Sequence, residues 1–301
     1  MMPQTRETQF SFNGEDTSYL THSLHPYPAK FPPQLPKKIL KDYAFKGQTV
    51  LDPFCGSGTT LVEARIFGAN AIGVDVNGLS VLLSQVKATP LTKQQFSMVK
   101  EFISKIENEI PKWKSEKRPK IKIKEIEGQE HWFQSNVSEE ITFLLNEISE
   151  QTDTDIENFL KIVLSSIIVR VSNQDSDTRF AAIEKNITNG YTLDTFCKKA
   201  KEYNSRMAEF SELVHDTTEL HLHNADSRNL DFIPDNSIDI IITSPPYANT
   251  YDYYLYHKFR KRWLDLDVKF AQYNEIGSRR EYSSLKEKKE KWNEAVIICC
   301  R

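Results

Sequence analysis

Three short runs in the chain carry residue types that can do chemistry together. The first, Asp52-Pro53-Phe54-Cys55-Gly56-Ser57-Gly58-Thr59-Thr60, lies between an apolar strand-like run and a helical one. Gly56 and Gly58 permit a tight turn there, and they let backbone N–H groups approach a ligand at the positive end of the following helix. The spacing is not the dinucleotide fingerprint, and no Lys-Ser or Lys-Thr follows as a phosphate-gripping loop requires, so a nucleoside triphosphate is disfavoured. The second run, Gly73-Val74-Asp75-Val76-Asn77, closes the next strand with an acid able to accept hydrogen bonds from both ribose hydroxyls of an adenosyl group. A plain surface-turn aspartate is the alternative, and the place of Asp75 after such a glycine turn favours the ribose role. Asp226, in Asn224-Ala225-Asp226-Ser227, stands similarly after a third strand and can accept from an adenine amino group.

The third run is Ser244-Pro245-Pro246-Tyr247, directly after the apolar stretch 238–243. Open α/β sheets bind ligands at the carboxyl ends of their strands. Two adjacent prolines cannot extend a strand; they fix a rigid turn whose carbonyls, with Ser244, can accept hydrogen bonds from an amino group. Tyr247 offers a flat face to a base turned out of a duplex. An amine aimed this way keeps its lone pair towards a methyl donor, so transfer is an in-line displacement with no covalent enzyme intermediate. An ordinary Pro-Pro loop is the competing explanation, and its pairing with the glycine turn counts against it. Upstream, the stretch from His22 to Pro33 holds four prolines and reads as an ordered loop in which Phe31 and Pro32 can cover the methionine end of a cofactor. His22 and His25 invite a metal, but further ligands are not nearby and four are normally required, so no metal is expected.

The elements that must position these residues follow from the hydrophobic pattern. Strands are expected at Thr49–Asp52 and 71–75 with a crossover helix at Thr59–Phe67 between them, a βαβ unit of a parallel sheet. From Leu91 to about Asp216 the pattern is helical. It opens at Thr92 with Gln95 three residues on, a capping box, and continues through Phe96, Val99, Phe102, Ile103, Ile106 and Ile110. Further helices are expected around 141–148, 162–169 and 196–213; their apolar stripes read as core. Strands return at 218–223 and 238–243, an amphipathic helix is expected over 253–264, and the chain closes on a charged stretch, 281–291, and the run AVIICC. The expected organisation is residues 1–90 as a cofactor-binding half, 91–217 as a helical insertion and 218–301 as a catalytic half.

Composition bounds the rest. With 39 basic and 42 acidic residues the formal charge is −3, so attraction to nucleic acid has to come from local patches. Two candidates are 112–124 and 258–262 (KFRKR), although lysine runs are more often solvated faces. Four cysteines without metal-ligand spacing read as reduced thiols. No segment reads as a membrane span or a secretory signal, which leads to an expected cytoplasmic location.

Taken together, these motifs resemble the amino-methyltransferases of DNA that act on cytosine N4 or adenine N6. HPYPAKFPP (25–33) is similar to that family's motif before the first strand, DPFCGSGTT (52–60) to its cofactor loop, GVDVN (73–77) to its ribose-binding acid and TSPPY (243–247) to its catalytic motif. The resemblance implies a Rossmann-like α/β sheet and S-adenosylmethionine as cofactor. It makes Ser244, Pro245, Pro246 and Tyr247 catalytic, while Phe54, Gly56, Gly58, Asp75 and Asp226 hold the cofactor; Phe31, Asp52 and Thr59 complete the candidate cofactor set. The serine in SPPY is more typical of cytosine-N4 enzymes, whereas adenine enzymes more often carry aspartate. The implied partner is double-stranded DNA with a flipped target base. The order of motifs gives the insertion a target-reading role, with the polar stretch 172–179 either reading bases or starting a capped helix. The family has a seven-stranded sheet, yet only four strands are legible, so an incomplete sheet, a second polypeptide that completes it, or a displaced strand at AVIICC is expected. A cytosine-C5 enzyme is excluded because no Pro-Cys pair occurs. Methylation of RNA guanine N2 or of protein glutamine is disfavoured by Ser244, and a fragment that binds nucleic acid without activity is the remaining alternative.

Overall fold

The structure, a computed structural model, describes residues 12, 14–115, 119–177, 179–214, 217–246 and 253–276. After a 3₁₀ turn at Leu20–Ser23 come α1 (Gln34–Tyr43), β1 (Thr49–Asp52), α2 (Thr59–Phe67), β2 (Asn70–Val74) and α3 (Gly78–Ala88). A block rich in helices follows: α4 (Lys93–Lys114), α5 (Gln129–Trp132), α6 (Ser135–Ser149), α7 (Thr154–Ile167), the strands β3 (Gln174–Ser176) and β4 (Arg179–Ala182), and α8 (Tyr191–Ser211). The chain then returns to the sheet with β5 (Leu220–His223) and β6 (Ile240–Ile241), and continues into α9 (Tyr253–Tyr256), α10 (Lys258–Trp263) and α11 (Val268–Asn274).

The central sheet runs β5-β2-β1-β6, with every pair parallel. From β1 the chain winds outward through β2 to β5, then crosses back to lay β6 on the other side of β1. The winding therefore reverses between β1 and β6, and an open parallel sheet leaves its ligand crevice at the carboxyl ends of strands at such a switch point. The loop after β1 and the Ser244 motif after β6 both emerge there. α2 starts after Gly58 and stops at Gly68, both left-handed, which explains why its limits were legible in the sequence. β6 is shorter than the apolar run 238–243, but that run stays extended at both ends: Asp239 N–H donates to Thr49 O at 3.0 Å and Ile242 N–H to Leu51 O at 3.0 Å.

The capping box opens α4 as expected, with Gln95 N–H donating to Thr92 Oγ1 and Thr92 N–H to Gln95 Oε1. α4 and α7 pack on α8, and α7 also packs on α3, so the helical block and the sheet share one buried apolar core. Three expectations are corrected. The stretch 172–179 does not start a helix: β3 and β4 pair as an antiparallel hairpin. The expected helix over 253–264 is two short helices, α9 and α10, meeting at the buried His257. And KFRKR is not a solvated basic patch, because Arg260 and Lys261 are 1% and 0% exposed and Arg262 pairs with Glu127. The AVIICC run and the stretch 281–291 lie outside the described residues. Among the described residues no helix is long and apolar enough to cross a membrane.

Candidate active site

The loop after β1 is shaped by its glycines. Gly56 and Gly58 have φ of +50° and +78°. A Cβ on Gly58 would stand 2.7 Å from Ser84 Oγ and 3.0 Å from Ser84 Cα of α3, so α2 and α3 converge only because there is none. Gly56 N–H is aimed at Asp75 and donates to its Oδ2 at 2.9 Å, while Asn77 N–H donates to Oδ1 at 2.8 Å. Each carboxylate oxygen keeps a further lone pair for a ligand. Burial pushes the Asp75 carboxyl up to about 6, against the lowering effect of those two N–H groups. Asn77 caps α3 by accepting from Leu79 N–H at 3.1 Å.

These residues open on one cleft with about 1010 Å³ of empty space, its open mouth included. Phe31, Phe54, Gly56, Thr59 and Asp75 line it together with Ser244, Pro245 and Pro246, so the cofactor-type loop and the described part of the third motif face a common space. Three of the expected residues are placed elsewhere. Gly58 packs against α3, as above. Asp52 is fully buried behind the loop, where its Oδ1 accepts from Thr243 Oγ1 at 2.7 Å and from Phe54 N–H at 3.2 Å; burial raises its carboxyl to about 6. Asp226 is held by Arg228, whose Nε donates to both carboxylate oxygens at 2.9 and 3.0 Å, and its neighbour Ser227 lines the cleft instead. Tyr247 lies outside the described residues.

The cleft also has walls that the motifs did not reveal. Tyr27 lines it with its hydroxyl 2.8 Å from Ser80 Oγ and its ring stacked on Tyr253 and His257, at 5.9 and 5.0 Å between centroids. Lys30, Ser227, Tyr253, Asn274, Glu275 and Ile276 line it as well. Tyr27 sits inside the HPYPAKFPP run, so its position was within reach of the sequence; Asn274 at the end of α11 and the two residues after it were not, because nothing in a short amphipathic stretch says which face meets the sheet. The two histidines of the N-terminal loop fasten it to the body: His22 Nε2 is 2.8 Å from Glu63 Oε1 on α2, and His25 Nε2 is 2.9 Å from Ser165 Oγ on α7.

An open parallel sheet with helices, a glycine turn after its central strand, an acid after the next strand and a cleft at the switch point make this a Rossmann-like methyltransferase fold. Residues 4–82 match the family described as DNA methylase. The chain is similar to the type II methyltransferase M.MvaI of Kocuria varians, 28% identical over 85% of this chain and 60% of that protein. It is similar also to M.MjaII of Methanocaldococcus jannaschii, at 25% over 89% of this chain and 66% of the relative, and to M.BsoBI of Geobacillus stearothermophilus, at 25% over 86% and 57%. The chain thus spans roughly three-fifths of the length of these relatives. The match over residues 4–82 and the similarity to these type II methyltransferases support the DNA amino-methyltransferase family, whose members use S-adenosylmethionine as methyl donor.

Proposed function

We propose that the chain binds S-adenosylmethionine in this cleft and transfers the methyl group to an exocyclic amino nitrogen of a base in DNA, cytosine N4 in the first place. The observation that carries the proposal is that the loop after β1, Asp75 and Ser244-Pro245-Pro246 all line one cleft. Bound there, the cofactor supplies a methyl group on a positively charged sulfur. Asp75 accepts hydrogen bonds from the ribose hydroxyls, Gly56 leaves room for the ligand to approach the backbone, and Phe31 and Phe54 exclude water from its apolar parts. Ser244 and the carbonyl of Pro245 accept the hydrogens of the target amino group and hold its lone pair towards the methyl, so that binding removes most of the orientational cost of the displacement. Tyr247 stacks on a target base flipped from the duplex. Serine at position 244 favours cytosine N4; adenine N6 is the second reading. The outer side of β6 is where further strands, from another segment or a second polypeptide, would complete the sheet.

Calorimetry with S-adenosylmethionine, followed by methyl transfer to duplex DNA and mass spectrometry of the nucleosides, tests this. N4-methylcytosine is expected, with Tyr247→Ala losing more turnover than Tyr247→Phe, since stacking needs the ring and not the hydroxyl. N6-methyladenine moves the assignment to the second reading. Absence of cofactor binding, or methylation of RNA or protein alone, defeats the proposal.

A further inference from the structure

Two threonine hydroxyls fasten the exit of β6 to the two ends of the loop after β1. Thr243 Oγ1 donates to Asp52 Oδ1 at 2.7 Å, and Thr60 Oγ1 donates to the carbonyl of Ile242 at 3.3 Å. Asp52 and Thr60 are fully buried and bracket the loop 53–59, while Thr243 immediately precedes Ser244. The backbone gives this junction little support: β6 pairs with β1 over two residues, the ladder ends with Ile242 N–H on Leu51 O, and the prolines that follow have no N–H to donate. The side-chain bonds continue the registration where the ladder stops. Asp52 suits the task because its Oδ1 accepts from Thr243 and from Phe54 N–H together, so one atom ties the first turn of the loop to the residue before the motif.

We propose that Asp52, Thr60 and Thr243 form a clamp that fixes the spacing between the cofactor loop and the Ser244 motif, with Asp52 a positioning residue and not a cofactor ligand. The inference rests on the methyl-transfer reading above, in which the loop holds the donor and the motif holds the acceptor. In-line transfer is sensitive to this spacing, because a misplacement of about 1 Å can cost on the order of a hundredfold in rate.

Thr243→Val removes the hydroxyl while keeping the shape, and Thr243→Ser restores it. In the full chain, Thr243→Val is expected to bind S-adenosylmethionine within about twofold of the parent affinity yet to lose roughly tenfold or more in turnover on DNA, with Thr243→Ser recovering most of it. Amide exchange over 240–246 should quicken in Thr243→Val and not in Thr243→Ser. Parent turnover in Thr243→Val, or a loss of cofactor affinity that accounts for the loss of rate, overturns the clamp. If the parent chain itself transfers no methyl group to DNA, the functional proposal fails and exchange alone judges the clamp: faster exchange in Thr243→Val supports it, unchanged exchange overturns it.

Discussion

Asp75 meets the cleft with one backbone N–H already on each oxygen, and that arrangement fixes how ligand affinity should respond to pH. In the proposed binding mode ribose hydroxyls donate to the charged carboxylate, so binding favours the deprotonated form. Its carboxyl is raised to about 6, chiefly by burial. Affinity for S-adenosylmethionine should therefore be flat above that value and fall as pH drops through it, approaching about tenfold per pH unit. Calorimetry between acidic and neutral pH checks this, and Asp75→Asn should flatten the profile. Asp75→Ala should cost about 1–3 kcal/mol of binding, since it leaves the ribose hydroxyls without their acceptor. A parent profile without the acid limb would show that this carboxylate does not meet the ligand. Asp75 was legible from sequence because its place is set locally, by the end of a strand that follows a glycine turn. Asp226 has the same setting, yet Arg228 two residues on takes its carboxylate, a choice of side-chain direction that spacing does not reveal.

Among the elements, α10 and the β3–β4 hairpin are joined by the ion pair of Arg260 with Asp177, and Arg260 Nε also donates to Ser165 O at 3.0 Å. The Arg260 side chain is 1% exposed and that of Asp177 is 37% exposed, so the two sides of the pair are not equivalent. Asp177→Ala leaves a buried guanidinium without its counter-charge, a loss of about 3–5 kcal/mol when both partners are buried. Water reaches Asp177, which places the expected cost nearer about 2 kcal/mol. Urea denaturation should show a lower midpoint with the slope unchanged; an unchanged midpoint would mean that solvent already screens the pair. This link was hidden in the sequence for two reasons. KFRKR has the charge density of a solvated face, and only packing against α7 shows that Arg260 is interior. The strands β3 and β4, reading Gln-Asp-Ser and Arg-Phe-Ala-Ala, lack the alternation that marks a half-buried strand. By contrast β1, α2 and the start of α4 were legible to the residue or nearly so, because glycine turns and a capping box are local signals.

For the molecule as a whole, the sheet register shows what its edge still requires. Leu51 pairs with Ile72 and Ile241, and Ile72 with His221, so these four side chains form one row across one face. A parallel sheet is ordinarily covered on both faces and reads apolar on both. In this row Leu51 is buried, whereas Ile241 at the β6 end is 59% exposed. Among the described residues the central sheet has no strand beyond β6. An edge strand that carries an exposed isoleucine favours pairing with another strand. The chain should therefore self-associate as its concentration rises, and sedimentation velocity across a dilution series should show the larger species. Ile241→Lys puts a charge on the edge, the usual device against edge pairing, and should return the chain to monomer while leaving cofactor affinity intact, because Ile241 does not line the cleft. A parent chain that stays monomeric throughout the series, with Ile241→Lys behaving identically, would show that this edge is already satisfied and that the apolar row needs no further cover.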